Sequence, residues 1–155
     1  EYIAPGPAAD LYGSIQKKAE FYEVCEKFGI PYPDSKILTA PVDAAELTED
    51  KLGFAYPIIV KPSSSVDYWK HPFDTMKKVY TAATPAEAAE IVKTIYASGY
   101  PDRMVLQKMV PGGDDHMRVL TAFSDENGKV RAMCLGHTMV EEHTPHGWQP
   151  CRHRQ

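Results

Sequence analysis

Apolar residues recur at helical spacing in two parts of the chain. Over residues 14–28 the apolar side chains fall roughly on one helical face, and Gly29 follows where a C-terminal glycine is typical. A second helix is predicted to run to about residue 98. It begins at residues 84–87, a capping box with proline at the first helical position. A shorter helix is expected over residues 43–52.

Short apolar runs predict six strands around these helices. They are expected at residues 36–38, 56–61, 76–81, 104–109, 117–124 and 130–138. The run "YPIIVK" is apolar at consecutive positions, which indicates a strand buried on both faces. Between the last two strands, Asn127 and Gly128 are expected to supply positive φ to a hairpin turn. Strands that follow one another through hairpins favour an α+β fold over a doubly wound sheet.

The composition is that of an ordinary globular protein. The 155 residues carry a formal net charge of −4, with 43% apolar and 25% charged residues. The chain shows neither the basic stripe of a nucleic-acid-binding protein nor an apolar run long enough to span a bilayer. We therefore expect no nucleic acid and no membrane as partners. The widely spaced Cys25, Cys134 and Cys151 indicate reduced thiols and a cytoplasmic location.

One buried strand ends in a charged residue that three hydroxyls follow. Lys61 closes the apolar run, and Pro62 leads into Ser63, Ser64 and Ser65. A lysine at a strand end commonly covers apolar surface with its stem while its head reaches water. The serines change that interpretation, because an ammonium group beside hydroxyls and backbone N–H groups can bind a polyphosphate. The spaced glycines of a Walker loop are absent from this segment.

A later segment, "VLQKMVPGGDD" at residues 105–115, has features that suit a nucleoside. Adenine needs an apolar slot with backbone groups along its edge, and the ribose hydroxyls need an acceptor. Met109 and Val110 could supply the slot, and Asp114 the acceptor. Taken alone, the segment is more typical of a strand that ends in an ordinary Pro-Gly turn with solvated acids.

In this order, the segments resemble the ATP-grasp superfamily of carboxylate–amine ligases. Within the superfamily the chain resembles the D-aspartate ligase-like branch, and carbamoyl phosphate synthase and the D-alanine–D-alanine ligases belong to the same superfamily. The resemblance covers residues 18–147. Its first segment is a helix that begins with a lysine and ends in a Gly-Ile-Pro-x-Pro signature. Lys18 precedes Gly29 by eleven residues, the interval seen in the D-alanine ligases. The resemblance implies that Lys18 and Lys61 contact the phosphates of a nucleotide beneath a flexible loop of Ser63, Ser64 and Ser65.

The resemblance also assigns the nucleoside contacts. It implies that Gln107, Lys108 and Val110 bind adenine and that Asp114 binds the ribose. Gln107 stands where glutamate is common, so the adenine amino group would be bound by the amide oxygen.

The fold that the resemblance implies is α+β, with the first subdomain of an ATP-grasp fold and a truncated start of the second. The chain would then divide into a linker, a helix with its Gly-Ile-Pro connection, the first subdomain, the start of the second subdomain and a non-native tail. The respective ranges are 1–13, 14–34, 35–109, 110–147 and 148–155.

Ligases of this superfamily use ATP and Mg²⁺ to convert a carboxylate into an acyl phosphate that an amine attacks. Their metal ligands are an acidic residue on a late strand and a Glu-x-Asn pair on the next, and none follows Gly147. We therefore predict that this chain binds ATP or ADP weakly at best, carries no catalytic or metal-binding residue, and is inactive alone. The alternative is a non-catalytic nucleotide-binding or regulatory module of the same shape. Arg118 and Arg131 are expected to form surface ion pairs.

The end of the chain, "EEHTPHGWQPCRHRQ", allows a third class, a metal protein. Its potential zinc ligands match no recognised spacing; they are Glu141, Glu142, His143, His146, Cys151 and His153. Codons read one base later after Gly147 permit Gly-Asn-His-Ala-Ala-Ile, which resembles the expected continuation of the superfamily. We therefore predict that residues 148–155 arise from a frameshift, in which case the apparent metal cluster is accidental.

Overall fold

The computed structural model describes residues 9–113 and 116–137. Two helices open this part of the chain, α1 at Ala9–Gln16 and α2 at Lys18–Phe28, where a single helix over residues 14–28 was predicted. The helices separate at Lys17, whose backbone is extended. The prediction of one continuous helix was wrong because the break is fixed by a tertiary contact. The N–H of Lys18 donates to the carbonyl of Ser63, at 3.2 Å.

The chain divides after Met109 into two compact units. The first unit contains a four-stranded antiparallel sheet in the order β1-β4-β2-β3. Its strands are β1 at Ser35–Leu38, β2 at Ile58–Pro62, β3 at Tyr80–Ala82 and β4 at Met104–Lys108. An antiparallel sheet combined with helices confirms the predicted α+β class. β2 and β4 occupy the centre, as expected for the most apolar runs of the sequence.

One face of the central strands packs against a helix and forms the core. Ile58, Val60, Met104 and Leu106 are fully buried in the core with α5, a helix at Pro85–Ala97. The intervening positions of β2 and β4 point to the opposite face because side chains alternate along a strand. This opposite face is the one that carries Lys61 and Gln107.

Local capping places two of the predicted helix ends correctly. Gly29 ends α2 in the left-handed conformation, with φ of 63°. Thr84 caps α5 by accepting the N–H of Glu87, at 3.2 Å. The Glu87 carboxylate accepts the N–H of Ala83, at 2.7 Å. Both ends follow from residues within one turn, which is why the sequence indicates them.

Other element bounds differ from those predicted. The expected helix at 43–52 consists of a 3₁₀ turn at Ala44–Glu46 and the short α3 at Glu49–Leu52. The expected strand at 76–81 is shorter, since β3 begins at Tyr80. A further helix that was not predicted, α4 at Ser65–Trp69, follows β2 directly.

The second unit contains an antiparallel hairpin of β5 at Arg118–Ser124 and β6 at Val130–His137. In its turn Gly128 has φ of 73°, whereas Asn127 does not have positive φ, so that half of the prediction was wrong. Asp125 fixes the turn instead, because its carboxylate accepts the N–H groups of Asn127 and Lys129, each at 3.0 Å. The same carboxylate pairs with Arg131 at 2.6 Å, which confirms the ion pair expected for Arg131.

No helix of the described residues is long and apolar enough to cross a membrane. The thiols of Cys25 and Cys134 are free, the first buried and the second exposed.

Candidate functional site

Lys61 lies one residue before the end of β2, and its ammonium group reaches across to β4. Its Nζ donates to Oε1 of Gln107 at 2.7 Å and to the hydroxyl of Tyr22 at 3.2 Å. The register pairs Ile59 with Gln107, so Lys61 and Gln107 are diagonal neighbours on one face of the sheet. The antiparallel pairing thus brings together two predicted site residues that are 46 positions apart.

Lys18 lies at the start of α2, where the chain approaches the end of β2. Its Nζ donates to the hydroxyl of Ser65 at 3.1 Å and to the carbonyl of Ser63 at 3.4 Å. The pKa of Lys18 is lowered, first by burial and then by the positive charges of Lys61 and Lys78. The positive charge of Lys61 therefore disfavours the charged form of Lys18.

The hydrogen-bond partners of these two lysines are neutral among the described residues. They are hydroxyls, an amide oxygen and a backbone carbonyl. Many other lysines of the described chain bind carboxylates: Lys17 with Asp102, Lys51 with Glu46, Lys70 with Asp67, Lys93 with Asp43 and Lys108 with Asp34. Two half-buried cations with neutral partners favour an anion between them, since desolvated charge is costly without a counter-charge.

The three serines after β2 have different surroundings. Ser63 is fully buried, and its hydroxyl accepts the N–H of Ala19 at 3.0 Å. Ser64 caps α4 by accepting the N–H of Asp67 at 3.1 Å, and it donates to the Asp67 carboxylate at 2.7 Å. Only Ser65 directs its hydroxyl to a predicted phosphate-binding residue, Lys18.

The structure corrects the expectation that all three serines lie in a loop. Ser64 and Ser65 lie at the start of helix α4, and the hydroxyls of Ser63 and Ser64 bind groups of the protein itself. The physical reason is that both Ser63 and Ser64 satisfy N–H groups at the start of a helix, where no intrahelical acceptor exists.

Tyr22 and Ser35 hold the side chain of Gln107, and neither was predicted from the sequence. The amide nitrogen Nε2 of Gln107 donates to the hydroxyl of Tyr22 and to Oγ of Ser35, each at 2.8 Å. The ring of Tyr22 stacks on Tyr32, with 5.0 Å between the centroids. In the sequence, Tyr22 is one member of the apolar face of a helix and Ser35 lies just outside a predicted strand. Neither position carries a local signal of a polar contact.

The other predicted nucleoside contacts are Lys108, Val110 and Asp114. Lys108 is exposed and pairs with Asp34 at 3.1 Å. Val110 is the first residue of the second unit and is exposed. Asp114 lies outside the described residues. The roles of these three residues in binding adenine and ribose stay predictions.

Two grooves open on the first unit beside Ser35, one of the two residues that hold Gln107. The larger, of about 560 Å³, is lined by the turn after α2 and by Leu52 and Gly53, and it contains none of the predicted site residues. The smaller, of about 290 Å³, is lined by both Tyr22 and Ser35. The smaller groove is the more relevant of the two because it lies against the side chains that hold Gln107.

Among residues 9–113 and 116–137, no group of three or more histidine, cysteine or carboxylate side chains could hold a metal ion. The proposed zinc ligands from Glu141 to His153, and the predicted frameshifted tail at 148–155, lie outside the described residues.

Comparison with known proteins supports one of the predicted classes. No family model matches the chain. A curated relative does match, and it confirms the predicted resemblance to an ATP-grasp carboxylate–amine ligase. This relative is the D-aspartate ligase of Enterococcus faecium (strain Aus0004), which is 38% identical to the chain over 144 residues. The match covers 93% of this chain and 34% of the relative, so the chain spans about a third of the relative's length.

A solved structure is also similar, the D-alanine–D-alanine ligase from Bacillus anthracis. It is 20% identical, with a TM-score of 0.48, over 83% of this chain and 43% of that chain.

Proposed function

We propose that this chain is the nucleotide-binding part of an ATP-dependent ligase that activates a carboxylate as an acyl phosphate for attack by an amine. The observation that carries the proposal is the pair of half-buried ammonium groups of Lys18 and Lys61, whose partners among the described residues are neutral. Phosphate oxygens are the acceptors that such groups bind most strongly, and binding them would also offset the mutual repulsion of the two lysines.

Each residue that would contact the nucleotide has a proposed role. Lys18 and Lys61 bind phosphate oxygens, and the Ser65 hydroxyl beside Lys18 adds a neutral donor. The amide oxygen of Gln107 accepts a hydrogen bond from the adenine amino group. The resemblance adds the exposed Lys108 and Val110 at the adenine, and Asp114 at the ribose.

The resemblance also implies Mg²⁺, which in phosphoryl transfer neutralises charge on the phosphate oxygens. The described residues do not provide a cluster of carboxylate or imidazole ligands for it. In the described part of the chain, we assign the neutralisation of phosphate charge to Lys18 and Lys61.

The activity of the whole protein is a further part of the proposal. Its substrates would be ATP, a small carboxylate and an amine, in a cytoplasmic setting, and this chain alone would bind the nucleotide without turnover. Similarity to a D-aspartate ligase makes D-aspartate the first carboxylate to test. ADP release that depends on a carboxylate would distinguish a ligase from a regulatory module.

The experiment that tests the proposal is a titration of the chain with ADP into the millimolar range, followed by NMR chemical shifts. Lys18→Met and Lys61→Met keep the length of the side chain and remove its charge. Each loses a charge-assisted hydrogen bond of about 1.5–3 kcal/mol, so we expect affinity to fall by about 10- to 100-fold.

The matched control is Lys93→Met, which removes the charge of an exposed lysine paired with Asp43. Its affinity for ADP should equal that of the wild type. Equal affinity in all four proteins would contradict the proposed site.

A further inference from the structure

The side-chain amide of Gln107 has two orientations that differ chemically, whereas those of a carboxylate at the same position would be equivalent. An amide presents either an acceptor oxygen or a donor nitrogen to a ligand, whereas a carboxylate presents acceptors on both sides. We infer that Tyr22 and Ser35 are positioning residues that fix the oxygen of Gln107 as the atom available to a nucleobase. The site would then select a 6-amino purine over a 6-oxo purine. This inference rests on the proposed function.

The first constraint on the amide comes from Lys61. An ammonium group has three donors and no acceptor. The atom of Gln107 that lies 2.7 Å from Nζ must therefore be the oxygen Oε1.

The second constraint is independent and comes from Ser35. Its hydroxyl proton is donated to the carbonyl of Pro33, at 2.7 Å, so Oγ can only accept from Gln107. The atom of Gln107 at 2.8 Å from Ser35 must then be the nitrogen Nε2. Ser35 is held at this position because it pairs directly with Gln107 in the register of β1 and β4. Both constraints give the same orientation.

The hydrogen-bonding capacity of the amide follows from these contacts. Nε2 has two protons, and both are used, by Tyr22 and by Ser35. Oε1 has two acceptor sites, and among the described residues Lys61 is the partner that uses one. The amide can therefore accept one more hydrogen bond and donate none.

This capacity discriminates between purines. The amino group of adenine donates, so it can use the remaining acceptor site of Oε1. The oxo group of hypoxanthine only accepts, so it would place two acceptors against each other in a site where Gln107 is 7% exposed. Turning the amide over would set its NH₂ against the Lys61 ammonium and its oxygen against the Ser35 oxygen.

The test compares the affinities of the chain for ADP and IDP, which differ at the 6-position of the purine. We expect the wild type to prefer ADP by about 10- to 100-fold, the range for one hydrogen bond gained against one buried acceptor left unpaired. Tyr22→Phe combined with Ser35→Ala removes both partners of Nε2 and leaves Lys61 alone to orient the amide, so the preference should fall several-fold without being lost. The matched control, Tyr32→Phe, removes a neighbouring hydroxyl that donates to Glu26, at 2.9 Å, and should leave the preference unchanged.

The decisive comparison is made in a Gln107→Glu background. Both oxygens of a carboxylate accept hydrogen bonds, so turning it over changes nothing. In that background, Tyr22→Phe with Ser35→Ala should leave the ADP preference intact even where both affinities fall. A purely structural role would weaken ADP and IDP equally in both backgrounds, and that outcome would overturn the inference.

Two further outcomes separate this inference from the proposed function. Equal affinity of the wild type for ADP and IDP would overturn the inference while leaving a phosphate site in place. Failure of the wild type to bind either nucleotide would overturn the proposed function and the inference with it.

Discussion

Ser63→Ala should destabilise the chain without weakening nucleotide binding by the folded protein. Ser63 is fully buried and acts as a cap supplied from outside helix α2. Its carbonyl accepts the N–H of Lys18 and its hydroxyl accepts the N–H of Ala19. Lys17, at the capping position of α2 itself, makes no capping bond with its side chain. The substitution keeps the carbonyl and removes the hydroxyl, so one buried N–H loses its acceptor.

The magnitude follows from that single loss. A buried donor left unpaired costs about 1–3 kcal/mol, and serine to alanine leaves almost no cavity. With a urea dependence of about 1–3 kcal/mol per molar, a loss of about 2 kcal/mol moves the unfolding midpoint down by about 1 M. Circular dichroism in urea measures the midpoint, and ADP titration without urea measures binding.

Ser65→Ala is the matched variant, because its hydroxyl touches Lys18 and caps no helix. It should leave the urea midpoint nearly unchanged and lower ADP affinity by about 2- to 10-fold, the value of one ordinary hydrogen bond. The reasoning is refuted if Ser63→Ala keeps the wild-type midpoint, or if it weakens ADP binding more than Ser65→Ala does.

Two other predictions concern the charge of Lys18 and the origin of residues 148–155. Because burial and neighbouring lysines lower the pKa of Lys18 in the folded state, the unfolded chain binds this proton more tightly. The stability of the wild type relative to Lys18→Met should therefore rise as pH increases from the lowered pKa toward 10.5, and urea unfolding at pH 7 and pH 10 measures the change. For residues 148–155, genomic sequencing across Gly147 should show an insertion or deletion relative to a frame encoding Gly-Asn-His. An uninterrupted native frame for "HGWQPCRHRQ" would contradict the frameshift and revive the zinc interpretation.

The parts of the fold that the sequence predicts well depend on neighbouring residues. Gly29 and the Thr84 capping box act within one helical turn, and the apolar run before Lys61 is long enough to identify a central strand. The break at Lys17 has no such local signal, because the acceptors that compensate for it come from Ser63.

The candidate site shows the same division between local and tertiary information. Lys61 and Gln107 were predicted together from the resemblance, and the register of β2 and β4 places them in contact. Tyr22 and Ser35 could not be predicted, since their polar contacts exist only once α2 and β1 pack beside β4. The capping contacts of Ser63 and Ser64 were not predicted, because a serine that caps a helix and a serine that binds phosphate look alike in a sequence.

The central claim is that Lys18, Lys61 and Gln107 bind one nucleotide. A crystal structure of the chain with ADP tests it most directly. We expect phosphate oxygens within about 3 Å of Nζ of Lys18 and of Lys61, and the adenine amino group within about 3 Å of Oε1 of Gln107. ADP bound elsewhere, with both lysines keeping their hydroxyl, amide and carbonyl partners, would contradict it.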